Sequence, residues 1–119
     1  MSLDDLSPDL WMIVSEVYAR PDVPIESEGF FEDIANSFQG SKEECLSYIR
    51  NHVKNWFRCS NKPPTWIQEA EWQFSNGKPM IFVGQVDVSA SSGLFHDDAS
   101  FYTFYSPEND EIKTLVQVS

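Results

Sequence analysis

The spacing of hydrophobic residues in the first half of the chain is helical. Apolar residues recur every three or four positions, as in Leu10, Ile13, Val14 and Val17, and two further stretches repeat this pattern. Each stretch begins with a signal for a helix N-terminus: Ser, Pro and Asp at 7–9, Ser27, and a Ser-Lys-Glu-Glu capping box that begins at Ser41. The pattern therefore predicts three helices, at about residues 7–19, 27–38 and 41–57.

The second half alternates between apolar and polar residues. An Asn-Lys-Pro-Pro sequence at 61–64 ends the helical pattern, and the Asn76-Gly77 pair is a strong signal for a tight hairpin. The alternation predicts four strands, at about residues 71–74, 79–88, 100–105 and 112–118. We therefore expect a single α+β domain over 1–119, with a helical half at 1–60 and a β half at 61–119. Its three N-terminal helices should pack on a C-terminal four-stranded antiparallel meander.

The predicted strands are apolar on both faces. In strand 79–88, alternation places Phe82 with Met80, Gly84, Val86 and Val88, and the opposite side carries Ile81, Val83, Gln85 and Asp87. Helices can cover one face of the sheet. The other face must be covered by residues 63–71, by a second copy, or by a partner. The residues predicted for such an interface are Tyr102, Phe104, Ile81 and Val83.

Composition narrows the class of protein. Hydrophobic residues make up 41% of the 119 residues, with 9 Phe, 4 Trp and 4 Tyr, which favours a packed core over disorder. The net charge is −11, and residues 1–33 carry most of it. This field disfavours nucleic acids and anionic membranes and favours a basic protein partner, although acidity for solubility alone explains it equally well.

The compartment is predicted from what the chain carries. The N-terminal sequence is acidic where a signal peptide would be basic, and only Cys45 and Cys59 are present. Two reduced thiols in a cytoplasmic protein of bacterial type are therefore expected.

One polar cluster is a candidate for chemistry. His96, Asp97 and Asp98 follow the longest predicted loop, and with Asp87 and Gln85 they are the candidate catalytic or ligand-binding residues. The alternative is a turn in which Asp97 or Asp98 caps backbone groups before the strand. The catalytic assignment requires all five side chains to converge on one pocket.

No cofactor or metal site is predicted. Cys45, His52 and Cys59 recur every seven residues, so on a helix they lie about 10.5 Å apart. Zinc needs its ligands at about 2.0–2.3 Å, so these three residues do not share a metal. The Arg50, Lys54 and Arg58 stripe is interpreted as a solvated helix face.

Part of the β half resembles a known family. Gly77-Lys78-Pro79-Met80, the Gln85-Val86-Asp87 strand end and the aromatic strand that follows are similar to the YwqG-like family of uncharacterised bacterial proteins. The resemblance covers residues 66–105. It implies a β-rich core built around this hairpin, and no reaction.

The predicted function follows from the surface. The leading hypothesis is a non-catalytic protein-binding module, either of the immunity-protein kind that neutralises a basic toxin or a homodimer. The alternative is a small-ligand-binding protein or hydrolase-type enzyme that uses the His96, Asp97 and Asp98 loop.

Overall fold

The computed structural model describes all 119 residues and confirms the α+β class, with the helices N-terminal to the sheet. The elements are α1 (Leu3–Leu6), α2 (Asp9–Ser15), α3 (Ile25–Ser37), α4 (Lys42–Trp56), β1 (Phe74–Ser75), β2 (Lys78–Pro79), β3 (Ile81–Val88), β4 (Ala99–Ser106) and β5 (Glu111–Val118). Strands β3, β4 and β5 form an antiparallel sheet in that order, and β1 and β2 form a separate hairpin. A 3₁₀ turn at Ala90–Ser92 lies between β3 and β4.

The predicted four-stranded meander is wrong in one respect, because its first strand is not part of the main sheet. The Asn76-Gly77 turn forms as expected, with φ of 50° and 74°, and joins β1 to β2. The Met80 N–H donates to the Gln73 carbonyl and so extends this small hairpin. The strand predicted over 79–88 is therefore divided at Met80, and only its second part enters the three-stranded sheet.

The first predicted helix is in fact two helices, and no glycine marks the C-terminal end of the second one. The stretch forms α1 and α2, and α2 is followed by a Schellman motif with Tyr18 at the left-handed position (φ 65°). The Tyr18 N–H donates to the Ser15 carbonyl, and the Ala19 N–H donates to the Val14 carbonyl, as this motif requires. Glycine usually occupies that position, so the tyrosine gave no indication that the chain leaves the helix there.

The other two helices follow their predicted patterns more closely. The capping box at the start of α4 is present, with reciprocal bonds between Ser41 and Glu44. The start of α3 differs, because the helix begins at Ile25 and Ser27 is not its N-cap. Ser27 is fully buried, and its hydroxyl donates to the Arg20 carbonyl.

A chain of aromatic rings joins the helices to the sheet in one core. Phe31 of α3 stacks on Phe57 at 5.9 Å between ring centroids, and Phe57 meets the edge of Trp72 at 5.4 Å. Trp72 in turn lies 5.4 Å from Phe104 of β4, and its indole N–H donates to the Met80 carbonyl. Trp72 is therefore a fully buried side chain through which the helical half contacts the sheet.

A β-bulge in β3 reverses part of the predicted assignment of faces. The pairing with β4 shifts between Phe82 and Gly84, which leaves Val83 unpaired. Beyond the bulge, Gln85 pairs with Tyr102, and Asp87 pairs with Ser100. Since directly paired residues share a face, Gln85 and Asp87 lie on the same side as Phe82, and Val86 lies on the other. A strict alternation cannot reveal such an extra residue.

The inner face of the sheet, which carries Phe82, Tyr102 and Phe104, is covered by the chain itself. The covering segment, residues 63–71, crosses this face, and the Trp66 ring stacks on Tyr102 at 4.7 Å. The Trp66 indole N–H donates to the Tyr18 carbonyl, which links the segment to the helical half. Of the three covers that the sequence left open, residues 63–71 supply the one for this face.

The predicted interface therefore needs correction at two residues. Tyr102 and Phe104 are both 0% exposed, because Trp66 and Trp72 pack on them. Neither residue is available to a partner. Ile81 is half-buried, and Val83 is 45% exposed at the bulge.

Replacing Trp72 by alanine should destabilise the fold by about 3–5 kcal/mol, since it removes a fully buried aromatic ring that contacts both halves. Urea unfolding followed by circular dichroism measures this loss. Trp11→Ala is the matched control, because Trp11 is 38% exposed, and it should shift the midpoint much less. Equal shifts in the two variants would contradict the assigned role of Trp72.

Candidate functional site

Buried polar side chains hold the covering segment onto the sheet. The Gln117 side chain, 2% exposed, accepts from the backbone N–H groups of Ile67 and Gln68 at 3.0 and 2.9 Å. Its amide nitrogen donates to the Glu69 carbonyl at 2.7 Å. The Tyr102 hydroxyl donates to the Thr65 carbonyl at 2.9 Å. An irregular segment needs such partners for its backbone groups, and no buried side-chain polar atom lacks a partner.

Gln85 and Asp87, two of the predicted catalytic residues, belong to the same hydrogen-bonding system. The Gln85 carbonyl oxygen accepts from the backbone N–H of Thr65 at 2.8 Å, and its amide nitrogen donates to Asp87 at 2.7 Å. The Asp87 carboxylate also accepts from the Ser100 hydroxyl. These bonds, first that from Ser100 and then that from Gln85, lower the pKa of Asp87 below its usual value. Asp87 is thus held ionised, which does not suit a general acid.

The structure brings three of the five predicted residues to one cavity. Gln85, Asp87 and Asp98 line a cavity of about 430 Å³ at the end of the sheet, together with Thr65 and Ser100. His96 and Asp97 do not line it, so the convergence that the catalytic hypothesis requires is incomplete. The polar groups that do meet are already bonded to one another or to backbone.

Asp98 occupies the capping role that was the alternative to catalysis. Its carboxylate accepts from the Ala90 N–H at 2.8 Å, at the start of the 3₁₀ turn. The Asp98 carbonyl accepts from the N–H of Ser119, the last residue. His96 and Asp97 are exposed in the same loop. Asp98 therefore organises the connection between β3 and β4, and no hydrogen bond assigns such a role to His96 or Asp97.

The two cysteines lie in different parts of the structure. Cys45 is buried in α4. Cys59 lies beyond the end of that helix, and its backbone forms an isolated parallel β-bridge with Phe82. Burial raises the pKa of both thiols. No group of three or more His, Cys, Asp or Glu side chains lies close enough to hold a metal ion.

None of the helices combines the length and apolar composition that a membrane-spanning segment needs.

The side of the sheet opposite the covering segment, here called the outer face, is open over most of its area. Val86, Ile112 and Val116 are 63%, 68% and 49% exposed there. Phe95 of the loop packs on Phe101 of β4 at 5.9 Å between centroids and extends the apolar area. None of the side chains on the outer face is charged. The strands supply Ile81, Val86, Val88, Phe101, Thr103, Tyr105, Ile112, Thr114, Val116 and Val118.

Acidic residues lie in the connections at both ends of the sheet. Glu108 and Asp110 lie in the turn between β4 and β5, and Asp110 accepts from the Tyr105 hydroxyl at 3.2 Å. This bond and the two carboxylates raise the pKa of Tyr105. Asp97 and Asp98 lie at the opposite end, before β4. Carboxylates therefore lie in the connections beyond both ends of the uncharged strands.

Sequence reasoning missed the outer face as the exposed one, although a signal for it was present. The alternation of residues 112–118 marks Ile112, Thr114, Val116 and Val118 as one apolar face. The interface prediction considered the neighbouring strands and left this one out. The bulge at Val83 then concealed that Val86 belongs to the same face.

Comparison of the chain with models of protein families, with curated proteins and with solved structures finds no match. The candidate surface must therefore be judged from its own geometry.

Replacing Ser100 by alanine should raise the pKa of Asp87 towards 3.8, because the hydrogen bond that lowers this pKa most is removed. An NMR titration of the Asp87 carboxylate measures this. The lowered pKa stabilises the folded state above the unfolded pKa and ceases to do so as the pH falls through the folded value. The stability difference between wild type and Ser100→Ala should therefore shrink below about pH 3.8. Ser91→Ala, in the neighbouring loop, should leave the titration unchanged, and an unaltered Asp87 pKa in Ser100→Ala would contradict the assignment.

Proposed function

We propose that this protein is a non-catalytic protein-binding module that contacts its partner through the outer face of the three-stranded sheet. The observation that supports this most is the exposure of Val86, Ile112 and Val116 on a face without charge. The chain covers the inner face with Trp66 and Trp72, whereas over the outer face it places only Phe95, which packs on Phe101.

The size of the outer face suits a contact surface. Three strands of eight residues span roughly 14 by 27 Å, or about 400 Å². Exposed apolar patches of about 300–600 Å² are the largest found on typical monomers, and they are often functional. Ile112 and Val116 lie on β5, the last strand of the sheet, and extend the outer face to its margin.

The proposed partner is a basic protein with an apolar patch. Its apolar side chains would contact the outer face, and its basic residues would meet Asp110, which is bonded to Tyr105 of that face, and the exposed Asp97. The net charge of −11 attracts such a protein over a distance. Charges outside the contact chiefly change the association rate, so the acids of residues 1–33 would act on the rate and on its salt dependence. This is the arrangement of an inhibitor that neutralises a cationic protein.

The alternative function, a small-ligand-binding protein or hydrolase-type enzyme, has one supporting observation in the cavity of about 430 Å³. Gln85 and Asp87 are bonded to Thr65 and Ser100 there, and they serve to hold the covering segment. The binding hypothesis needs no such double use of a side chain, and we favour it for that reason.

The double substitution Val86→Lys and Val116→Lys should abolish partner binding and preserve the fold, because both side chains are exposed. The wild type, the double variant and Ile25→Lys are immobilised in parallel and exposed to proteins of the source cell. Ile25 is 77% exposed on α3, away from the sheet, so its lysine variant is the matched control. A basic protein retained by the wild type and the control, and lost by the double variant, is then purified.

Calorimetric titration of that purified protein gives the affinities. Binding to the double variant should be roughly 100-fold weaker, because each lysine would be desolvated in an apolar contact. A partner that binds the double variant as tightly as the wild type would contradict the proposal, and so would the lack of any protein that distinguishes the two.

A further inference from the structure

The two edges of the three-stranded sheet differ in their protection. At the β3 edge, the Phe82 N–H donates to the Arg58 carbonyl, and the Ser60 N–H donates to the Phe82 carbonyl, each at 2.9 Å. The bulge at Val83 bends the same edge, and the Ser60 hydroxyl donates to the Val83 carbonyl. Coverage and bulges are the devices with which proteins prevent unwanted strand pairing.

The β5 edge lacks these devices. Its register with β4 runs from Glu111 to Val118 without a shift, and it contains no proline. Its only lysine, Lys113, lies on the inner side, where its ammonium group donates to the Phe74 carbonyl. A lysine placed in this way does not block an approaching strand.

The backbone groups that face outward on β5 can be identified. The Val118 carbonyl accepts from the Gln68 side chain, which does not belong to the sheet, so Val118 presents its backbone away from β4. Antiparallel pairing directs every second residue the same way, which adds Ile112, Thr114 and Val116. No hydrogen bond outside the β4–β5 ladder involves the backbone of these three residues. Six strong hydrogen-bonding groups thus lie open on one edge.

We propose that a second copy of this chain pairs with this edge, β5 against β5 in antiparallel orientation, with the two-fold axis at Thr114. The open set is centred on Thr114, so the axis pairs Thr114 with its own copy and Ile112 with Val116 of the second chain. All six groups of each strand are then satisfied, and the two sheets become one sheet of six strands.

The charges of the strand agree with this register. The two charged residues of β5 are Glu111 and Lys113. With the axis at Thr114, Glu111 lies opposite Gln117 of the second copy, and Lys113 lies opposite Leu115. No like charges are directly opposed, although each chain carries −11. The open edge is bounded by the turn after β4 and by the Gln68 cap, and its self-complementarity favours a second copy over an unrelated strand.

This inference goes beyond the proposed function, because the edge and the outer face are different surfaces. Pairing at the edge leaves the side chains of the outer face free and joins two such faces into one surface. The experiments can therefore disprove binding of a basic partner and still confirm the dimer, or disprove the dimer and still confirm binding of the partner.

Thr114→Pro tests the edge, with Thr114→Ala as the matched control. Both variants lose the weak contact between the hydroxyls of Thr103 and Thr114, but only proline removes the outward N–H. Sedimentation equilibrium of the wild type and of Thr114→Ala should give dimers of twice the 13.7 kDa chain mass. The dissociation constant of Thr114→Pro should be about 100-fold higher, because both central bonds are lost. Added salt should tighten the wild-type dimer by screening the repulsion between two acidic chains.

Cross-linking tests the register without weakening the strand. Paired residues at hydrogen-bonded positions have Cα atoms about 5.5 Å apart, which suits a disulfide. In a Cys59→Ser background, Thr114→Cys should form a covalent dimer on oxidation, and Val86→Cys on the outer face should not. A wild-type monomer at millimolar concentration would overturn the inference. A dimer that persists in Thr114→Pro and cross-links through Val86→Cys would also overturn it, because the copies would then meet by their outer faces.

Discussion

The structure depends on the attachment of the covering segment to the inner face of the sheet. This irregular stretch, residues 63–71, lies where a helix or a second sheet would ordinarily pack, so its backbone groups need specific partners. Gln117, near the end of β5, is the hydrogen-bonding partner of three of these groups, in Ile67, Gln68 and Glu69. Trp66 adds the apolar contact on Tyr102. Gln117 and Trp66 thus help to make this face of the sheet part of the core.

This attachment explains the roles of the polar residues at the end of the sheet. Gln85, Tyr102 and Gln117 come from three neighbouring strands and bind the same short segment. The polar residues near the cavity are therefore accounted for by the fold. The outer face has no comparable structural duty, and its apolar exposure is what remains to be explained by binding.

The sequence predicted the parts of the fold that local chemistry decides. The capping box at Ser41, the Asn76-Gly77 turn and the positions of β4 and β5 follow from residues close in the chain. The bulge at Val83 was not predictable, because one unpaired residue leaves no mark in the alternation. Tyr18 at a left-handed position was equally hidden, since glycine is the usual signal.

The candidate site was predicted only in part, for a related reason. Whether Tyr102 or Phe101 faces solvent depends on which side the covering segment takes, and this is a contact across more than thirty residues of chain. The loop cluster around Asp98 was visible as a polar sequence, and its capping role was one of the two interpretations considered. Alternation shows that a strand has two faces, but long-range packing decides which of them is buried.

Hydrogen exchange of individual amides, followed by NMR on the full chain, tests this attachment most directly. The amides of Ile67 and Gln68 lie outside regular secondary structure, yet both donate to buried Gln117. The account predicts that they exchange as slowly as the amides of β4, through global unfolding alone. Exchange of Ile67 and Gln68 at the rate of an exposed loop would contradict it, because the covering segment would then leave the sheet independently of unfolding.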